Sequence, residues 1–260
     1  MKALVFFNAY IMNCAQSYAR ITAKERLSMK KLSVKFFSDY ACPFCYIGET
    51  HLKRAIQESG LENDSDVTML SFELDPTFPN QYVGPSTQLL ASKYGISLSQ
   101  ASEEIKKVET MASDSDIALD YVHARYTSTF PAHRLTKLAQ DKLSSEKANQ
   151  FIDRLFQAMF EEHREMSDLE ALKPLALEAG ISEEDFEQML NSDDYSEQVR
   201  SEEALAKQYG VNAVPYFIIN DKYAIPGALP TSEMKKIFNK ILEEDQIIAE
   251  GAACGVDGCK

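Results

Sequence analysis

Two of the chain's five cysteines, Cys42 and Cys45, stand as C-x-x-C inside SDYACPFCYIG, Ser38 to Gly48. Two thiols at this spacing support one of three chemistries: a redox pair that exchanges disulfides, half of a zinc site, or two packed thiols. A redox pair needs one sulfur ionised, because the thiolate is the nucleophile, and a second in range to displace whatever becomes attached. Structural zinc needs four ligands. The remaining cysteines are Cys254 and Cys259, spaced C-x-x-x-x-C near the C-terminus, and Cys14 alone near the start. The histidines His51, His123, His133 and His163 form no H-x-x-x-H-type pair beside either cysteine pair. A zinc reading therefore requires an interaction protein that joins Cys42, Cys45, Cys254 and Cys259 in one site. Cysteines this sparse do not make a disulfide-stapled scaffold.

The elements around the pair bear on the choice. Leu32 to Ser38, LSVKFFS, is β-branched and aromatic enough for a buried strand. From Tyr46 the pattern YIGETHLKRAIQESG puts Ile47, Leu52, Ala55 and Ile56 on one face of a helix, closed by Gly60. Asp66 to Leu74 reads as a second strand, ended by Asp75 and Pro76. Strand, helix, strand makes a βαβ unit with parallel strands and a right-handed crossover. The cysteines thus fall where a strand gives way to a helix. Backbone N–H groups of a first helical turn lack intrahelical partners, and the dipole is positive there, so an anion such as a thiolate is stabilised. Cys42 is then the candidate nucleophile, and Cys45, one turn on, the candidate resolving thiol. Pro43 suits the first turn, where its missing N–H is not needed. Phe44 adds an apolar ring without charge or donor, which favours a less oxidising pair than a basic residue would give.

Ser86 to Asn191 reads as helical almost throughout. Ser97 with Gln100 and Ser167 with Glu170 have capping-box spacing, Gly95 and Gly180 fall at helix ends, and Phe151, Leu155, Phe156 and Met159 make a packing stripe. A helix from Ser196 to Tyr209 stops at Gly210. Tyr216 to Asn220 and Tyr223 to Ile225 are short strands joined by a hairpin. A last helix carries Met234, Ile237, Phe238, Ile241 and Leu242 on its apolar side. The order βαβ, helical block, ββα reads as one α/β domain over residues 29–245 with an all-helical insertion at about 80–191. Residues 1–28 form an extension, and residues 246–260 a flexible, cysteine-bearing tail.

A net charge of −13 and a pI near 4.8 argue against nucleic acid or an anionic membrane surface as partner. Beyond the first dozen positions no apolar run approaches the roughly 20 residues of a spanning helix. Residues 1–19 carry a weak signal-like pattern interrupted by Asn8, and Met29 is an alternative start, so the expected setting is cytoplasmic, with export as the alternative.

The segment VKFFSDYACPFCYIGETHL resembles the active-site region of DsbA-like thioredoxin-fold oxidoreductases of the FrnE type. GVNAVPYFIINDKYAIPGALP resembles the same family's second signature, and TFPAHRLTKLA and LFQAMFEE resemble parts of its helical insertion. The resemblance spans about Lys31 to Glu244. It implies a thioredoxin fold, a dithiol/disulfide pair at Cys42 and Cys45, and a cis proline at Pro215 beside them. It also implies that the Val214 backbone pairs with an extended substrate strand. Phe44 stands where the family often has a larger aromatic or histidine, and residues 1–28 match nothing in it. Kappa-type glutathione transferases and 2-hydroxychromene-2-carboxylate isomerases generally carry serine at the position of Cys42, so two retained thiols speak against glutathione-linked chemistry of that kind.

The expected activity is thiol–disulfide exchange on protein or peptide substrates, with neither metal nor organic cofactor required, and with glutathione or a thioredoxin-type reductant as candidate partners. Phe44 and Val214 are the expected substrate contacts. Cys254 and Cys259 are a candidate second redox pair, and Cys14 is a bystander. His133 and Arg134 read as capping or packing residues, with lining of the substrate groove as the alternative, Tyr40 as a wall of the site, and the run Glu183 to Asp185 as a solvated face.

Overall fold

The protein is described by a computed structural model over residues 32–253, with side chains as far as Glu244. Strand β1 (Leu32–Ser38) has Leu32, Val34, Phe36 and Phe37 fully buried, so it must lie inside a sheet, as its sequence demands. It pairs in parallel with β2 (Ser65–Ser71) and antiparallel with β3 (Tyr216–Ile219), which pairs antiparallel with β4 (Tyr223–Pro226). The sheet order is β2-β1-β3-β4. Between β1 and β2 runs α1 (Pro43–Glu58), followed by a short 3-10 turn. After β4 comes α9 (Thr231–Ala253), which packs against α1. This is the α/β order read from the sequence and the thioredoxin fold that the resemblance implied.

Seven helices lie between β2 and β3: α2 (Ser86–Tyr94), α3 (Leu98–Ser113), α4 (Phe130–Lys142), α5 (Ser145–Phe160), α6 (Leu169–Ala179), α7 (Glu183–Leu190) and α8 (Ser196–Gln208). They do more than decorate the sheet. As an edge strand, β2 presents backbone groups that need partners. Asn149 donates to the Val67 carbonyl at 3.0 Å, Lys137 and Gln140 donate to that of Met69 at 2.9 and 3.0 Å, and the Ser71 amide donates to Glu202 at 2.6 Å. Lys137 is buried for this purpose and is paired with Glu202 at 2.7 Å. The insertion thus closes the sheet edge with side chains. Among the described residues no helix is long and apolar enough to cross a membrane.

Several expected boundaries move, each for a local reason. Helix α1 starts at Pro43, three residues before Tyr46, because Cys42 already serves as its N-cap. Strand β2 begins at Ser65 and ends at Ser71 rather than Leu74, whose amide is taken by the Asp39 carboxylate at 2.7 Å. Ser97 and Gln100 do form a capping box, but α6 is capped by Asp168, accepting from the Ala171 amide at 3.0 Å, while the Ser167 hydroxyl donates to the Asn80 carbonyl. Residues 114–129, expected as helix, hold none. The hairpin turns through Asn220 and Asp221, both with positive φ (52° and 53°), as a tight primed turn requires. Helix α9 runs through Ala253, past the boundary drawn at 245.

Candidate active site

Strand β1 ends at Ser38, and a turn closed by the Cys42 amide donating to the Asp39 carbonyl at 3.0 Å delivers Cys42 to the mouth of α1. Cys42 is extended (φ −103°, ψ 109°), and its side chain caps no amide. Pro43 takes the first helical position, and the Cys45 amide bonds back to the Cys42 carbonyl at 3.0 Å. Both sulfurs are unpaired thiols. Cys42 is 4% exposed and Cys45 0%, so Cys42 is the less enclosed of the two sulfurs. Burial, then the neighbouring Cys42, pushes the Cys45 thiol up, while the Ser38 hydroxyl and the Asp39 backbone amide pull the other way. The inner sulfur is thereby held protonated. Phe44, 40% exposed, sets an apolar ring beside the pair.

The loop before β3 faces the pair. The Val214–Pro215 peptide is cis, and the Cys42 thiol donates to the Val214 carbonyl at 3.5 Å. Gly227 (φ +80°) ties the loop down by donating to the Pro215 carbonyl at 2.8 Å. On α1, Gly48 makes the close approach possible: a Cβ there would stand 2.8 Å from Pro215 Cγ and 3.3 Å from Ala228. Alanine for glycine in a helix ordinarily stabilises by about 1 kcal/mol. Here Gly48→Ala is expected to destabilise by about 1–3 kcal/mol, the usual range for overpacking. It is also expected to lower disulfide-exchange rates by shifting Val214 from Cys42. Urea unfolding read beside turnover checks this, and a stabilised, fully active variant would contradict it.

Beneath the pair lies a set of buried polar groups that spacing alone did not announce. Asp39 accepts from the Ala41 amide at 3.2 Å and the Leu74 amide at 2.7 Å, and its Oδ1 lies 3.4 Å from Nε2 of the fully buried His133. Tyr40 packs against the His133 ring, with its hydroxyl 2.5 Å from that of Thr136. It is wholly buried, and so backs the site without lining it. Burial pushes Glu73 up to about 7, against its hydrogen bond from Arg200 and the charge of His133. Arg134 donates to the Met189, Ser192 and Asp194 carbonyls and so closes the end of α7, the capping role expected of it. The irregular segment 114–129 contributes Tyr121 and Tyr126, whose phenols burial pushes up and which lie within electrostatic reach of Cys42. Only the S-D-Y-A-C string hinted at Asp39; its partner His133 comes from α4.

Cys42, Cys45, Phe44, Val214 and Pro215 are therefore assembled at one place. Cys254 and Cys259, the proposed second redox pair and the other half of a four-cysteine zinc site, lie outside the described residues, as does Cys14. Among the described residues no group of three metal-type ligands includes Cys42 or Cys45.

Comparison with known proteins bears on the family and the fold. The chain is 30% identical over 221 residues to the uncharacterised protein YwbO of Bacillus subtilis strain 168, covering 82% of this chain and 96% of that protein. A crystal structure of a probable DsbA oxidoreductase from Streptomyces coelicolor superposes with a TM-score of 0.75 at 29% identity, over 88% of this chain and 98% of that one. The cytosolic disulfide reductase DsbM of Pseudomonas aeruginosa shares the fold, with a TM-score of 0.52 at 17% identity over 83% and 99% of the two chains. The profile of the DSBA-like thioredoxin domain matches residues 33–239, and the chain belongs to that family of thiol–disulfide oxidoreductases.

Proposed function

We propose that the protein exchanges disulfides with protein or peptide substrates through its C-P-F-C pair, Cys42 acting as nucleophile and Cys45 as resolving thiol. The observation that carries the reading is the placement of Cys42 at the N-cap of α1, under the Val214 carbonyl and outside the more deeply buried Cys45. In the reducing direction the Cys42 thiolate attacks a substrate disulfide, forming a mixed disulfide and expelling one substrate thiolate, which takes up a proton. Cys45 then loses its proton and attacks the Cys42 sulfur. This forms the Cys42–Cys45 disulfide and releases the second substrate thiol, so two electrons pass from the pair to the substrate. The oxidising direction is the same sequence reversed. Pro215 shapes the loop, while the Val214 backbone and the Phe44 ring receive an extended segment of substrate. A cytoplasmic setting, with glutathione or a thioredoxin-type protein as electron partner, belongs to the same proposal.

The test is trapping. With Cys45→Ser, a substrate disulfide is expected to leave a Cys42 adduct that persists about 100-fold longer than in the wild type, because the intramolecular displacement is gone. Intact-protein mass spectrometry follows the adduct. Equal lifetimes in the two proteins would rule out Cys45 as the resolving thiol.

A further inference from the structure

Away from the cysteines, the fold brings together three side chains that no local pattern joins. Asp120 and His123 lie in the irregular segment 114–129, and His163 in the turn after α5. His123 Nδ1 is 2.8 and 2.9 Å from the two carboxylate oxygens of Asp120, and His163 Nε2 is 3.0 Å from Oδ2. One ligand atom from each residue lies within 4.8 Å of the other two, and the imidazoles meet edge to face with centroids 5.7 Å apart. Two imidazoles and a carboxylate are the donor set of three-ligand zinc sites, which leave a fourth position open to water. Tetrahedral bonds of about 2.0–2.1 Å put donor atoms roughly 3.3 Å apart. The present spacings reach that with small rotations of His123, whose side chain is 70% exposed.

The supports of the cluster are held more firmly than its tip. The Asp120 amide donates to the Phe160 carbonyl at 2.9 Å, and Glu109 accepts from the Val122 amide at 3.1 Å. Arg125 grips Glu165 through Nε and Nη2 at 2.9 and 2.6 Å, which joins the same two segments a second time. His163 sits at φ +58°, a left-handed conformation uncommon for histidine, and it directs the ring at Asp120.

We propose that Asp120, His123 and His163 form a surface site for a divalent cation of the zinc class, which clamps the segment 114–129 to the turn after α5. That segment also carries the buried Tyr121 and Tyr126, which lie within electrostatic reach of Cys42, so an occupied site stiffens the chain that packs near the cysteine pair. The site is separate from any cysteine-bound metal, since its donors are nitrogen and oxygen.

The experiment is calorimetric titration of Zn2+ at neutral pH into the full chain in which Cys14→Ser, Cys42→Ser, Cys45→Ser, Cys254→Ser and Cys259→Ser remove thiolate competition. One zinc per chain is expected. In that background His123→Ala should weaken binding by about 100-fold or more, and His163→Asn, which tolerates the left-handed backbone, by about tenfold or more. Should the serine background not fold, the wild-type chain serves instead, and His123→Ala is expected to bind one zinc fewer. No binding in the serine background, or the same binding with and without His123, would overturn the proposal and leave a hydrogen-bonded Asp–His–His network only.

Discussion

Cys42→Ser is expected to remove disulfide exchange down to the uncatalysed background, a loss of about 1000-fold or more, while leaving the fold as stable as before or slightly more so. The two halves of this result have different causes. Serine can neither form a disulfide nor ionise near neutral pH, so no mixed disulfide arises and the resolving thiol has nothing to displace. Structurally, position 42 is the N-cap of α1, and the cysteine caps nothing. Serine is among the best N-cap residues, and a hydroxyl accepting from an amide of the first turn contributes about 0.5–1 kcal/mol. Insulin-disulfide reduction and thermal unfolding of the same preparation measure both. Retained turnover would sink the assignment of Cys42. Turnover that then vanished on adding Cys254→Ser and Cys259→Ser would move the chemistry to the C-terminal pair.

The second large effect is on stability and concerns Glu49, which sits on α1 two turns beyond Cys42 and is 1% exposed. Burial pushes its carboxyl up to about 7, against the pull of Lys53 at 2.9 Å and with the repulsion of Asp153. In the unfolded chain the same carboxyl titrates near the ordinary value of about 4.3. Between these two values the folded state holds the extra proton, so stability is greatest below the unfolded value and falls as pH rises toward 7. Above 7 the penalty is constant. It amounts to about 4 kcal/mol if this group acts alone, at about 1.4 kcal/mol for each pH unit of separation. Glu73, also pushed up to about 7 by burial, adds a slope of the same sign.

Glu49→Gln keeps the volume and removes the charge, and Lys53 retains Asp153 as a partner at 2.5 Å. The variant is expected to be more stable than the wild type by about 1–3 kcal/mol at pH 8, with little gain at pH 4.5. Urea midpoints at the two pH values decide it. An unchanged pH slope would show that Glu49 is already charged in the folded protein throughout that range.

The features legible in the chain itself are those whose cause is local. The change from a buried strand pattern to a helical one around Cys42 and Cys45 located the pair, because both periodicities and the first-turn proline act within a few residues. The Ser97–Gln100 box, the glycines closing α2 and α6, and the Asn220–Asp221 turn belong to the same class. Element order was enough for one α/β domain with a helical insertion, since a βαβ unit and a ββα unit have few ways to share one sheet, and the resemblance carried by the two signature segments made it a thioredoxin fold.

Tertiary structure decided the rest, because side-chain polarity carries no address for a distant partner. Lys137, Asn149 and Glu202 look like ordinary surface residues until β2 presents its open edge to them. Asp39 and His133 meet because α4 crosses behind the β1–α1 turn, and Asp120 finds His163 across 43 positions of chain. Residues 114–129 run irregularly, with Ile117, Leu119 and Tyr121 entering the core at alternate positions and not along one helical face. Local chemistry named the candidate sulfurs, and only the packed chain determined what surrounds them.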